Sequence, residues 1–437
     1  VGAGRATAAL TTLFAVLCFT AAAVVPLQQP GGVQHEPLFS WLLVDSLNAL
    51  PLVFFTAITL VLILIAPKRD TAGSTLSGML ILCIGTAVAY SAAALPVLAT
   101  GWWITVIPFA LGFFGKTPAR WVSTLFLTAS AAALSAFVWL THSSSLESFS
   151  HANHLAFAFL LAAVALRKGL FPLHSWVVTS FEHGPLIPAV LLFNGHLGAL
   201  LTARTEAVQL PGYAHHALDW MSLAALATAL IASIRGFAEK TPRRLLAFVC
   251  ISQASFILAG LATATKQGIT GALLHWFVVS VASCVLAGVI RILEVRVMDA
   301  ANPEGNLGLA VKAPRLATFF LVAALALVGL PGTLGYNAED LLFHGALESH
   351  PWMGISMLVA TAFNAINLLR LYSLLFLGVL PKHVLDIPDA LPRERWPITV
   401  CVLFLVGGSF LSYWVFPLIS VPASRIQSTP EAQHSAH

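Results

Sequence analysis

The stretch Ala165–Trp176, ALRKGLFPLHSW, decides how this chain reads: Arg167 and Lys168 follow a long apolar run and stand just before a proline. Composition explains the run. Of 437 residues, 58% are hydrophobic and only 9% charged, and the mean hydropathy is +0.87. A soluble globule does not have that balance, so the sequence predicts an all-α polytopic membrane protein. A bilayer-spanning helix needs roughly 20 mainly apolar residues, and about thirteen such segments can be marked. They lie near 5–27, 44–66, 74–94, 97–114, 121–141, 152–181, 186–204, 217–238, 243–263, 269–292, 315–348, 352–378 and 396–420. Segments 152–181 and 315–348 are too long for one straight crossing. Each contains a Pro/Gly interruption, at Leu170-Phe171-Pro172 and Leu330-Pro331-Gly332, so each reads as one broken helix.

Lys and Arg in short loops are retained on the cytoplasmic side. With the N-terminus inside, the inner loops carry Lys68, Arg69, Lys116, Arg120, Arg235, Lys240, Arg243, Arg244, Arg296, Lys312, Arg315, Lys382, Arg393 and Arg395. The outer loops carry little beyond Arg204 and Lys266, with His35, Glu36, His142, Glu147, Glu206, His215 and His216 instead. The expected topology is thirteen helices in a cell (inner) membrane, N-terminus cytoplasmic and C-terminus outside. The net charge of +4 reflects this bias, not nucleic-acid binding. Cys18, Cys83, Cys250, Cys284 and Cys401 all fall within apolar segments without metal-ligand spacing, which predicts buried packing. The long first apolar run reads as a crossing, not a signal peptide. Residues 421–437 are polar and read as a disordered tail.

A helix interrupted within a membrane frees backbone groups, tolerated only against protein or a hydrated cavity. Transporters place such breaks at their sites, in matching positions of inverted halves. Here five crossings (74–204) hold the first break in their fourth member, and the next five (217–378) hold the second in theirs. An odd number of crossings inverts the second copy. The expected organisation is N-terminal helices (1–73), two inverted five-helix repeats (74–204 and 217–378), and a C-terminal helix (379–420). A charge midway through a membrane segment costs roughly 2.5–3.5 kcal/mol even on insertion scales, so Arg167 and Lys168 read either as cations lining a hydrated ion path or as side chains snorkelling to an interface. Lys168 is the candidate that can release a proton, whereas a guanidinium stays charged. Glu339 and Asp340, after the second break, either exchange protons or face the outer surface.

These residues resemble a known family: the antiporter-like subunits of respiratory complex I, membrane hydrogenases and multisubunit cation/proton antiporters. Its first broken helix reads approximately K-x-x-x-[LF]-P-[LF]-[HQ]-[TS]-W, and RKGLFPLHSW places Arg167 on the lysine position with Lys168 beside it. PRRLLAFVCISQASFILAGL (242–261) is similar to K-R-x-L-A-Y-S-S-x-S-Q, aligning Arg243, Ser252 and Gln253, with Arg244 adjacent. GLPGTLGYNAE (329–339) resembles G-[LI]-P-[GP]-T-x-G-F-x-x-[EK] and puts Glu339 on the ionisable position of the second half. The likeness covers roughly residues 40–380. Three departures accompany it. The family's W-E-x-x-x-x-P reads Trp102-Trp103-Ile104-Thr105-Val106-Ile107-Pro108, so Trp103 stands in for the glutamate that partners the first lysine. Of H-x-x-x-H-x-x-x-K only His275 survives, followed by Val279 and Ser283. The lysine before the first break is Arg167, unless a register shift recruits Lys168. The counter-charge must then come from Glu182, from water or from freed carbonyls, and Trp103→Glu should strengthen the pairing.

His275, His174 and His196 are each either relay residues or hydrogen-bonded packing histidines. Asp45 is either a counterpart of a family aspartate or a helix N-cap. There is no phosphate-binding loop, dinucleotide fingerprint, haem motif or hydrolytic triad, so no cofactor or metal is expected and the chain carries no catalytic site of its own. The resemblance implies a subunit moving protons, with or without another cation, whose partners are other membrane or peripheral subunits. One such assembly would be a redox-driven NADH:quinone oxidoreductase-like complex. The competing class is a membrane platform without a complete path, such as the membrane partner of a zinc-containing inorganic-carbon uptake protein. An N-terminal region one helix shorter than the complex I pattern and the missing lateral C-terminal helix suggest a small assembly. In intact cells, an impermeant thiol reagent should fail to label single cysteines placed at Lys240 to Arg244 or Arg393 to Arg395 and should label those at Glu147 or His215. Labelling near 240 from outside would overturn the orientation.

Overall fold

An apolar solvent offers backbone amides no hydrogen bonds, so apolar segments satisfy themselves as helices. The computed structural model describes residues 2–28, 41–115, 117–141, 153–206, 212–297, 306–380, 387–411 and 416–419. Outside them lie His35, Glu36, Lys116, His142, Glu147 and Lys382, and the expected tail at 421–437. The side chains of Glu206 and His215 are likewise not described.

The helices run in order α1 (Gly2–Gln28), α2 (Ala49–Ile65), α3 (Gly73–Tyr90), α4 (Leu95–Ile104), α5 (Ile107–Ala110), α6 (Pro118–Thr141), α7 (His154–Lys168), α8 (Ser175–His183) and α9 (Leu186–Asn194). They continue as α10 (Leu197–Glu206), α11 (Gly212–Ala238), α12 (Pro242–Leu261), α13 (Lys266–Val297), α14 (Pro314–Leu327), α15 (Leu334–Ser349), α16 (Pro351–Phe376) and α17 (Pro392–Phe410). Among the described residues the only strand-like pairing is an isolated bridge between Leu42 and Ala92. Eight stretches of the described residues are long and apolar enough to cross a membrane, and three shorter apolar helices accompany them.

Burial sorts these helices. α13 is buried along most of its length and packs against α15, α12, α14, α9, α2 and α17. α9, α10 and α12 complete the interior. Around them, α1, α6, α11 and α16 turn apolar residues outward, including Phe14, Leu17, Trp121, Trp139, Trp220 and Leu369. That pattern belongs to a surface facing hydrocarbon rather than water, and the chain is a multi-pass membrane protein. Cys83, Cys250, Cys284 and Cys401 are buried, whereas Cys18 is exposed. It sits on α1, which packs mainly along α2 and α3, so packing alone does not account for it.

Among the described residues the apolar segments read from the sequence are mostly helix, but the interruptions are more numerous than expected. Segment 152–181 divides into α7 and α8, and segment 315–348 into α14 and α15. Segments 97–114 and 186–204 are also divided. In the first, Pro108 has no amide to donate back to Ile104, and the chain passes through a tighter turn in which Val106 N bonds Trp103 O at 2.9 Å. In the second, His196 takes the left-handed conformation, φ +38°, which ends a right-handed helix.

Helices α13 and α15 approach through glycine. A Cβ at Gly345 would overlap the backbone of Gly268, and one at Gly271 would lie 2.6 Å from the amide nitrogen of Leu342. Small residues let membrane helices pack backbone to backbone. Gly345→Leu should therefore separate these helices and destabilise the fold by about 1–3 kcal/mol, lowering the thermal unfolding midpoint in detergent. An unchanged midpoint would show that the contact is dispensable.

Candidate functional site

Helix α7 starts at Asn153, whose side chain accepts from Ala156 N, and ends at Gly169, which is left-handed with φ +67°. Its last two residues are Arg167 and Lys168, where cations face the negative end of the helix dipole. The freed backbone groups find partners: Leu170 N bonds Ala165 O at 3.0 Å, Trp176 Nε1 donates to Leu166 O at 2.9 Å, and Phe171 N donates to Thr228 Oγ1 at 2.9 Å. Both cations are buried, Arg167 at 6% and Lys168 at 5% exposure. Lys168 Nζ lies 2.8 Å from His196 Nδ1 and 5.8 Å from the Phe193 ring centre. Gly198 makes room for it, since a Cβ there would meet Lys168 Cγ at 2.6 Å. Arg167 Nη2 donates to Thr105 Oγ1 at 2.7 Å, and its Cζ stands 5.4 Å from the Trp102 ring centre. The two neighbours thus face different helices, Lys168 the α9–α10 bend and Arg167 the α4–α5 bend.

His196 is buried, packs against Phe193 and Trp276, and has no protein partner on Nε2. Towards the second half, His275 on α13 is fully buried, with both ring nitrogens unpartnered. Gln253 on α12 is fully buried too, its amide facing the Glu339 carboxyl without a well-formed hydrogen bond at either end. It lies beside both His275 and Glu339. Glu339 on α15 is buried with Oε1 unpartnered. Lys168, His196, His275, Gln253 and Glu339 thus form a row of polar side chains in an apolar interior. Asp340 stands apart: it is on the surface, 3.4 Å from His344. His174 stacks on Phe171 beside the first break, with Nδ1 unpartnered. Val279 is buried, and Ser283 donates to Asn194 Oδ1 at 2.9 Å, so the last two positions of the family's His/His/Lys pattern hold neutral packing contacts.

Arg243 and Arg244 belong to an ion-pair lattice where α8 ends and α12 begins. Arg243 grips Glu294 through Nε and Nη2, both at 2.5 Å, while its Nη1 donates to the carbonyls of Phe181, Glu182 and Gly184 at 3.2, 3.3 and 2.9 Å. It caps α8. Arg244 binds Glu239 through two bonds and Glu182 at 2.9 Å, and Arg291 joins Glu294 to Asp70. Glu182 therefore serves Arg244, not Lys168 or Arg167. Trp103 also departs from expectation. It is 39% exposed and donates Nε1 to Ser135 Oγ at 2.9 Å, so it points away from Arg167, which rests against Trp102 and Thr105.

Residues 119–364 match the family described as NADH:quinone oxidoreductase/Mrp antiporter, transmembrane. The chain belongs to that family. Among curated members it is 28% identical over 275 residues to subunit N of NADH-quinone oxidoreductase from Desulforudis audaxviator, covering 58% of this chain and 53% of the relative. It is 26% identical over 265 residues to subunit M from Rickettsia bellii, covering 59% and 52%. The chain spans about half the length of the curated relatives it matches. The fold is shared with a chain of the Mrp complex from a Dietzia species, with a TM-score of 0.81 at 20% identity over 98% of this chain and 94% of that one. It is also shared with a chain of respiratory complex I from Thermus thermophilus, with a TM-score of 0.80 at 23% identity over 97% and 95%.

In this antiporter-family chain, then, three site features lay beyond the sequence reading: the contact of Lys168 with His196, the bend that creates it, and the outward face of Trp103. The Asn194-Gly195 pair was the available signal for the bend, since Asn-Gly marks turns. For Trp103 the geometry reverses the expected effect of restoring glutamate. Trp103→Glu should place a carboxylate on the outer face of α4, cost roughly 2.5–3.5 kcal/mol as a charge in the membrane, and lower the unfolding midpoint without changing any activity per folded molecule. A gain or a shifted pH profile in that variant would contradict the placement.

Proposed function

We propose that this chain is an antiporter-like transmembrane subunit of a larger complex and moves protons across the membrane, with or without exchange for another small cation. The observation carrying this reading is the buried row from Lys168 to Glu339, in which His196, His275, Gln253 and Glu339 all present unpartnered polar atoms. Unpartnered buried polar groups are costly in an apolar interior, and hydration of a path through the bundle would offset that cost. Lys168 and Glu339 are the proton-holding groups. His196 accepts from the Lys168 ammonium across 2.8 Å, and His275 with Gln253 carries the path toward Glu339. Arg167, always charged, draws water toward the start of the path. Arg243 and Arg244 hold the lattice at one end of the path, and His174 and Asp340 are accessory groups near the two breaks.

This function fits the expected topology: thirteen crossings in a cell membrane, N-terminus cytoplasmic and C-terminus outside, with inverted repeats at 74–204 and 217–378. The helix order supports the repeats, since α7/α8 is the fourth unit of one set of five and α14/α15 the fourth of the next. Any redox chemistry would lie on separate subunits. A platform role has one observation in its favour, the neutral Val279 and Ser283 in the centre. The inorganic-carbon variant of that role gains no support from the relatives described above.

Lys168→Met and Glu339→Gln preserve volume and remove charge. With the partner subunits present in proteoliposomes, each should lower proton flux by about tenfold or more, while the yield of folded, assembled protein stays unchanged. Undiminished flux in both variants would favour the platform.

A further inference from the structure

We infer that Tyr90 is a positioning residue that couples an ion-pair cluster at the end of the bundle where α2 begins to the Lys168–His196 contact. The inference rests on the proposed proton path for its purpose but not for its geometry. The starting point is the Gly195 carbonyl. In a continuous helix it would accept from Ala199 N, but that amide bonds His196 O at 2.9 Å, as Leu200 N does at 3.1 Å. The bend therefore strips Gly195 O of its helical donor inside an apolar core. The Tyr90 hydroxyl takes that place, donating to Gly195 O at 2.5 Å from a fully buried ring. A histidine with φ +38° is strained and persists only where its surroundings over-determine it. Tyr90 holds the residue before it, and Asn194, one further back, is clamped by its bonds with Ser280 O and Ser283 Oγ.

Tyr90 is itself anchored. Its carbonyl accepts from Asn48 Nδ2 at 2.8 Å and Arg204 Nη2 at 3.2 Å, and its ring meets Phe55 and Trp276 edge-on, each at 6.1 Å. Arg204 Nη1 binds Asp45 Oδ2 at 2.9 Å. The other oxygen of Asp45 accepts from Leu47 N and Asn48 N. Arg204 lies on α10, the helix that starts just after His196. One residue of α3 thus grips α10 near both ends, through its hydroxyl at the bend and its carbonyl at Arg204. The titratable and charged groups facing His196 are Lys168 from α7 and His275 from α13. Tyr90 reaches the same turn from α3. Loosening it would change how His196 meets Lys168 without removing either.

Tyr90→Phe removes only the hydroxyl. In detergent-solubilised protein with ¹⁵N-labelled histidine, the His196 ring signals are identified by their loss in His196→Gln. In Tyr90→Phe they should shift and change their pH response, while those of His275 stay in place. In the assembled complex the pH midpoint of proton flux should move by about half a unit or more. If Tyr90→Phe does not fold, Arg204→Gln loosens the same anchor from the other end and should shift the His196 signals in the same manner. His196 signals superimposable on wild type in a folded variant would overturn the inference, whatever the flux. Shifted signals in a protein that carries no flux would uphold the positioning and remove the transport reading instead.

Discussion

The constraint on which the structure turns is the placement of an ammonium group inside the bundle, 2.8 Å from an imidazole nitrogen. A lysine in an apolar interior needs an acceptor, and among the described residues no carboxylate pairs with Lys168. The chain supplies one by ending α7 at Lys168 and bending α9–α10 at His196. Each feature would be unfavourable alone. The helix end frees carbonyls, the left-handed histidine is strained, and the ammonium is desolvated. Side chains from other elements supply the missing partners: Trp176, Thr228 and Tyr90 satisfy the freed backbone groups. The interruptions are therefore part of one arrangement centred on a charge.

The two helix interruptions carry ionisable groups of opposite kinds. In the first, cations precede the break; in the second, Glu339 follows it. Between them, His275 and Gln253 are polar but uncharged when neutral, and Ser283 and Val279 leave the remaining relay positions of the family pattern without ionisable groups. A proton moving along this row would pass through groups that are neutral at rest. Charge at one interruption would then be felt at the other mainly through reorientation of hydrogen bonds rather than through a standing row of ions.

Composition and periodicity made the helices legible, because an apolar run of membrane length has few alternatives, and Pro172 and Pro331 marked two of the interruptions. At His196 the Asn194-Gly195 pair marked a turn, but the donor that satisfies the bend was not legible, because it is tertiary: Tyr90, more than a hundred residues earlier, supplies it. The orientation of Trp103 was not legible for a similar reason. Alignment gives its position along the helix but not which face turns inward, and here the inward face holds Trp102 and Thr105. Glu182 looked available to the buried cations in the sequence, yet Arg244 stands closer in space. Sequence spacing identified the charged groups; pairing among them depended on which helices meet.

The distribution of satisfied and unsatisfied polar groups bears on what the interior can do. At one end, Asp70, Arg291, Glu294, Arg243, Glu182, Arg244 and Glu239 form a continuous lattice that also caps α8. At the other, Asp45, Asn48 and Arg204 tie α2, α3 and α10 together. One end is an ion-pair lattice and the other is tied by the Asp45–Arg204 pair, whereas the unpartnered ring and amide atoms of His196, His275 and Gln253 and the unpartnered oxygen of Glu339 lie between them. A scaffold selected only for stability would do the reverse, filling its centre with apolar side chains, because a buried group without a partner loses its hydration for nothing. Rigid ends around an unsatisfied centre instead fix the helices that carry these groups while leaving the groups free to exchange hydrogen bonds. That combination is what the passage of a proton through an otherwise apolar bundle requires.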